Sequence, residues 1–444
     1  MRTIAYAVTI FIALLSSSIS SAQVDFFGDN IDNVNDDATL AIDGAGYVVS
    51  AVVGGRTYIV AAGYAEDGIS VFELTPAGLS QVGITNANIL DDATLNLSSP
   101  YSLVVSEVAG RTFVTALGDT DAGLSIFELS ASGLSQSGIT NANISDDATL
   151  NLSDPQFATA ATIAGRSFIV VSSSTDGGLS MFEVTTSGLS QLGIANANIN
   201  DVDNAAYNLA GITALTTAMV GGQTYIVAAN DTEHGLSVFE LTTSGLSQAG
   251  ITNANITDDA TLNLNGAASV TSFQLGAQTF VVVGGSVDSG LSMFELTTSG
   301  LTQAGLTGAN ISDDATVFLD TVQLVTSLSG DGRTFIVTGT SGDNGLSAFE
   351  VSTSGFTQVG LANANIADDA TVNLNTVFSV AEARIGSEVY LVATSEVDSG
   401  LSVFRVGNFP LALASPQQIP VFPPFLMLML AMTFLVLSRR QINK

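Results

Sequence analysis

The phrase Gly-Leu-Ser-x-Phe-Glu recurs seven times with little change, and no other feature constrains this chain as strongly. Its phenylalanine falls at Phe72, Phe127, Phe182, Phe239, Phe294, Phe349 and Phe404, with successive spacings of 55, 55, 57, 55, 55 and 55 residues. A second landmark, Asp-Asp-Ala-Thr, begins at Asp36, Asp91, Asp146, Asp258, Asp313 and Asp368, with a degenerate copy at Asp201. Units of this length cannot bury their faces alone, so they must stack or close into a ring. The repeats therefore override the roughly three domains that 444 residues would otherwise suggest.

Within one repeat, period-two alternation and turn residues mark four strands. Over 101–140, strand a runs from Tyr101 to Val108, b from Thr112 to Leu117, c from Leu124 to Leu129 and d from Leu134 to Thr140. Four antiparallel strands per unit make one propeller blade. The last repeat stops after strand c, at Phe404-Arg405-Val406, while Val24–Ile31 stands before the first landmark, where a strand d belongs. The N-terminal strand can thus complete the seventh blade and hide two sheet edges, whereas an open solenoid would want capping repeats. The expected fold is an all-β, seven-bladed β-propeller of four-stranded antiparallel blades over residues 23–409.

Two aromatic positions are filled in every copy: the strand-c series above, and Tyr58, Phe113, Phe168, Tyr225, Phe280, Phe335 and Tyr390 in strand b. Sevenfold recurrence fits packing between blades better than ligand stacking, because each ring buries a large apolar area. Strand a, the expected channel lining, is the least repetitive part of each unit.

Charge bounds the partners. Between residues 23 and 418 there are six basic residues, all arginine, against all 41 acids of the chain, a net −35. Nucleic acid is excluded as a partner, since the Lys/Arg footprint it requires is missing. Cations and basic partners are compatible with such a surface. The absence of cysteine rules out disulfides, thiolate metal sites and cysteine nucleophiles.

Chain direction sorts these charges. The d–a and b–c loops should share one end of the ring, and the a–b and c–d turns the other. The pattern Asn-x-x-Asp-Asp, read as the d–a loop, gives Asn88/Asp91/Asp92, Asn143/Asp146/Asp147, Asn255/Asp258/Asp259, Asn310/Asp313/Asp314 and Asn365/Asp368/Asp369. The first copy is Asn33/Asp36/Asp37, and the degenerate one is Asn198/Asp201/Asp203. Every b–c loop carries an acid two residues before its glycine: Glu66, Asp121, Asp176, Glu233, Asp288, Asp343 and Asp398. These sets predict an acidic face, with Arg56, Arg111, Arg166 and Arg333 in a–b turns opposite. An Asn and two Asp could supply about half of the 6–8 oxygens that Ca²⁺ takes. The alternative is turn chemistry, in which Asp-x-Gly forms a type I turn with a glycine bulge. The sole histidine, His234, stands beside Glu233 and is the one candidate general base, although a solvated turn position explains it equally well.

The termini point to a membrane. An arginine, an apolar run from Ile4 to Leu15 and Ser20-Ser21-Ala22 form a secretory signal peptide over residues 1–22, cleaved before Gln23. After a linker over 410–418, Ile419 to Leu437 is uncharged and is followed by Arg439-Arg440. That segment predicts a C-terminal transmembrane anchor with its basic end cytoplasmic and the propeller outside. Its order of Ile419-Pro420, apolar helix and arginine pair resembles bacterial C-terminal sorting signals of the PEP-CTERM and IPTL type. The resemblance implies proteolysis near Pro420, so the body would be either anchored at the cell envelope or released from it.

The motif Thr112-Phe113-Val114, followed by Gly123-Leu124-Ser125-Ile126-Phe127-Glu128-Leu129 and Ser132-Gly133-Leu134, resembles the YVTN-type repeats of lactonase-like propellers. The resemblance implies the fold. The acidic, Arg and His set of a lactonase site finds no match, so it says little about activity. Near-identical blades favour a monomeric, exported binding or structural propeller without catalysis, taking an extracellular ligand or protein. The rival reading is a lactonase-like hydrolase acting at the channel. The fourth blade, with two extra residues and His234, departs most from the others and is where a unique pocket is expected.

Overall fold

A computed structural model describes residues 24–407, apart from 203, 205, 206, 315 and 331. The expected leader, linker and C-terminal anchor lie outside the described residues. Among the described residues, no helix is long and apolar enough to cross a membrane.

Seven antiparallel sheets follow one another around a central channel, each ordered a-b-c-d. In blade 2, strand a is Pro100–Val108, b is Arg111–Gly118 and c is Gly123–Ser130, close to the predicted bounds. The outer strand differs. Instead of one run over Leu134–Thr140 it consists of two short pieces, Gly133–Ser135 and Asn143–Ser145, which pair with opposite ends of strand c. Residues 136–142 loop outward between them. There Asn141 donates to Ser187 O (2.8 Å) and accepts from Leu189 N (3.1 Å) of blade 3. Parallel bridges of this kind join Asn86 to Gly133, Asn141 to Gly188, Asn196 to Gly245, Asn253 to Gly300 and Gly308 to Gly355. The outer strand breaks where Asn141 hydrogen-bonds to the next blade, although the neighbouring Ala142 O still accepts from Ile126 N of strand c (2.8 Å).

This contact fixes a glycine. At Gly133, Gly188, Gly245 and Gly300, φ lies between +101° and +126°, and a Cβ would sit 2.1–2.2 Å from the backbone oxygen of the preceding blade's asparagine. The recurring Ser-Gly-Leu-Ser is therefore a seam between blades as well as a turn.

The N-terminal segment closes the ring. Phe27–Asn35 pairs antiparallel with Gly400–Val406 as the fourth strand of blade 7. Val24–Asp25 pairs in parallel with Leu361–Ala362, continuing the seam from blade 6. Towards blade 1, the Asp32 carboxylate accepts from Leu79 N (2.7 Å), replacing the backbone carbonyl used at the other seams. Phe26 and Phe27 are buried, with Phe26 packed against Phe335 (ring centroids 5.2 Å apart).

The core lies between blades. Seven apolar clusters occur among the described residues, each shared by two successive blades, including the junction of blade 7 with blade 1. Both sevenfold aromatic series are buried throughout, which supports the packing role read from their recurrence.

Candidate binding site at the channel mouth

The shared geometry of the b–c loops comes from one backbone choice. The residue between the acid and the glycine (Asp67, Ala122, Gly177, His234, Ser289, Asn344 or Ser399) has φ between +48° and +56° in all seven blades. The expected glycine bulge is thus displaced by one residue. The glycine itself is required for a different reason: a Cβ on Gly123 would meet Ile144 O of the outer strand at 2.6 Å. Where that residue carries a polar side chain, it reaches the entrance of the next blade. Asp67 accepts from Ser99 N (2.7 Å), Asn344 from Thr376 N (3.2 Å), and Ser399 from Gly44 N across the closure (3.2 Å). His234 occupies the same seat, its Nδ1 accepting from Gly266 N (3.2 Å). The lone histidine is thereby engaged in joining blades 4 and 5.

The b–c acids brace their own blades. Asp121, Asp176, Asp288, Asp343 and Asp398 accept from Ser98, Ser153, Asn265, Asp320 and Asn375 N–H groups at 2.9–3.0 Å. Where the acid is longer, at Glu66 and Glu233, Oε2 is buried without a hydrogen-bond partner. Burial raises the pKa of both, and Asp36 beside Glu66 and Asp201 beside Glu233 add to it.

The Asn-x-x-Asp-Asp residues divide between strand and loop. Each described asparagine of the series lies on the outer strand rather than in the d–a loop, which corrects the expected placement. Asn143 accepts from Ser125 Oγ and Gln136 Nε2 (both 2.8 Å) and donates to Thr94 O of the preceding loop (2.7 Å). Asn88, Asn310 and Asn365 donate likewise to Thr39, Thr261 and Thr316 O. Asn33 donates to Thr371 O, reproducing the link at the closure. The first aspartate caps its loop: Asp91, Asp146, Asp258, Asp313 and Asp368 accept from Leu97, Leu152, Leu264, Leu319 and Leu374 N. The second closes an Asx turn, as Asp92, Asp147, Asp259, Asp314 and Asp369 each accept from the N–H and hydroxyl of a threonine two residues on. In blades 1 and 2 the neighbours titrate apart, since burial raises Asp91 and Asp146 while threonine donors lower Asp92 and Asp147. Asp203 lies outside the described residues. Among the described residues, no group of three or more His, Cys, Asp or Glu side chains is arranged to hold a metal ion.

The arginines open strand b instead of lying in the turn before it. Arg111, Arg166 and Arg333 pair with Glu128, Glu183 and Glu350 of the same blade at 2.5–2.6 Å and lie over Phe113, Phe168 and Phe335. This accounts for the glutamate that ends Gly-Leu-Ser-x-Phe-Glu.

With the repeated residues engaged in the frame, the unrepeated ones stand out. At the end where strands a begin, a cavity of about 170 Å³ is lined by Gly44, Gly46, Tyr47, Tyr64, Pro100, Tyr101, Phe378 and Glu396. It belongs to blades 7, 1 and 2, not to the divergent fourth blade. In the fourth blade Tyr207 packs against Phe239, with ring centroids 5.4 Å apart. The cavity rings are steeply inclined: Tyr47 and Tyr101 lie 5.6 Å apart at 44°, Tyr64 and Tyr101 6.1 Å apart at 84°. Phe157 of blade 3 backs Tyr101 at 5.8 Å and 85°. Burial raises the hydroxyl pKa of both Tyr47 and Tyr101, helped at Tyr101 by the negative charge of Glu396. Below, Tyr47 and Phe378 also border the channel, whose wall is strand a of successive blades. Farther along, Glu382 pairs with Arg384 in the channel wall of blade 7. The repeat pattern marks strand a as the variable channel lining but singles out none of these aromatics. Their signal in the sequence is an aromatic at one of two adjacent strand-a positions in only some blades, Tyr101 and Phe378 at the first and Tyr47 and Phe157 at the second.

No protein-family model matches the chain, and no curated protein matches it. Solved structures do. A putative 6-phosphogluconolactonase from Bacteroides fragilis is 12% identical, covers 80% of this chain and 98% of its own, and superposes with a TM-score of 0.51. Hydrazine synthase of Kuenenia stuttgartiensis is 11% identical (82% and 96% covered, TM-score 0.54). The β-propeller domain of Cps50 (Swd1) from Myceliophteria thermophila is 10% identical (85% and 99% covered, TM-score 0.53). At these identities the likeness shows the propeller fold and nothing finer.

Proposed function

We propose that this chain is an exported, surface-associated binding propeller whose ligand enters the channel mouth at blades 7, 1 and 2. One observation carries the reading: in a body whose repeated side chains are committed to the frame, aromatics from the variable strand a and a b–c loop come together at one cavity. Ligand sites are typically concave, largely aromatic and furnished with a few polar groups. The leader and apolar C-terminal segment support placement outside the cell, held at the envelope or released from it. The d–a and b–c acids support a negative end around the cavity, which attracts cations generally and weakly, calcium included.

Hydrolysis of a phosphorylated lactone is the weaker reading, because no arginine or lysine lines the cavity to meet a phosphate and Glu396 would repel it. A thermal-shift panel of sugars, lactones, amines and carboxylates, run on the wild type and on Tyr101→Ala, tests the proposal. At least one class should stabilise the wild type and not the variant. Turnover of a lactone by the wild type would overturn it in favour of an enzyme, and its loss in His234→Ala or Glu233→Gln would place the chemistry at that loop.

A further inference from the structure

We infer that the cavity bounded by Tyr47, Tyr64, Tyr101, Phe378 and Glu396 takes a small alkylated ammonium ion. The inference rests on the binding role proposed above and specifies its ligand class. Three features point the same way. First, the rings are not coplanar. Four aromatic rings line the cavity, and pairs inclined at 44° and 84° form no single flat platform, which suits a compact, roughly spherical cation. A sugar would instead need one flat, open platform. The negative faces of such rings attract a cation, more strongly when water is excluded. Second, the one ionisable side chain of the lining other than the tyrosine hydroxyls is the Glu396 carboxylate, and the lining holds no basic group to compete for it. Third, about 170 Å³ accommodates a group the size of trimethylammonium but not an extended polymer.

A metal ion fits less well. Calcium asks for 6–8 oxygen ligands, and this cavity offers a single carboxylate beside neutral tyrosine hydroxyls. An alkylated ammonium ion, weakly hydrated and without directional demands, loses little on entering such a lining. The surrounding acids add long-range attraction that salt will screen.

The test is calorimetric titration of the full-length chain with choline and with its uncharged isostere 3,3-dimethylbutan-1-ol, alongside a neutral sugar. Choline should bind at least about tenfold more tightly than the isostere, with affinity falling as salt rises. Glu396→Gln should weaken choline by about three- to tenfold, and Tyr101→Ala should abolish binding. Glu396 is exposed, so its variant keeps the fold and the test stands even if Tyr101→Ala unfolds. Equal binding of choline and isostere, or binding of the sugar alone, overturns the ammonium inference while the cavity remains a binding site. Failure of every probe overturns the ammonium inference, and the binding role falls with it only if the wider thermal-shift panel also leaves the wild type unstabilised.

Discussion

Replacing one seam glycine with alanine tests how the blades are joined. Gly245, at φ +126°, faces blade 3, where an added Cβ would lie 2.2 Å from Asn196 O. An ordinary contact is more than 1 Å longer, so the two backbones must part. Parting them breaks Leu246 N to Asn196 O (3.1 Å) and Asn196 N to Ser244 O (2.9 Å). Two backbone hydrogen bonds at about 1 kcal/mol each, plus about 1–3 kcal/mol for an L-residue at that φ, give about 3–5 kcal/mol. Gly250 supplies the control. Its φ is +87° but nothing lies within 4 Å of its Cβ position, so Gly250→Ala carries only the conformational cost, about 1–2 kcal/mol. At about 2.1 cal/mol/K per residue over about 385 folded residues, the unfolding entropy is about 0.8 kcal/mol/K. Scanning calorimetry should then show Tm falling by about 4–6 °C for Gly245→Ala and about 1–3 °C for Gly250→Ala. Equal shifts would refute the seam, leaving turn strain as the whole reason for the glycine.

Phe26→Ala should cost about 3–5 kcal/mol in denaturant unfolding, because it empties a fully buried site at the closure; a loss under about 1 kcal/mol would mean the N-terminal strand does not hold the ring. Ala122→Asn should stabilise by about 1 kcal/mol in the same assay. Asparagine tolerates φ near +50° and would supply to Asp154 N the bond that Asn344 gives Thr376 N. Glu233→Gln tests the buried carboxylate. Its folded pKa is raised by burial and by Asp201, so the folded state holds that proton more tightly than the unfolded chain. The wild type should therefore lose stability as pH rises from 4.5, the residue's ordinary value, through the raised folded value. The glutamine variant should lack that component of the slope and be the more stable at neutral pH, as measured by Tm against pH.

The period of 55, the twin aromatic series and the missing final strand by themselves determine blade number, core and closure. They are properties of residue type at fixed intervals, and a ring is the one arrangement that buries every such face. Charge and turn composition likewise locate the acids in the loops. What only the tertiary structure decided involves neighbours far apart in sequence. The outer strand splits where residues such as Asn141 bond to the next blade, a contact invisible to local alternation. His234, legible as a general base or a turn residue, is held by Gly266, 32 residues on. The cavity depends on Tyr47, Tyr101 and Phe378, which belong to different repeats and meet only because closure brings blades 7, 1 and 2 side by side. Local pattern sets which surfaces must be hidden, but a site assembled from variable positions in separate repeats exists only once the chain has come full circle.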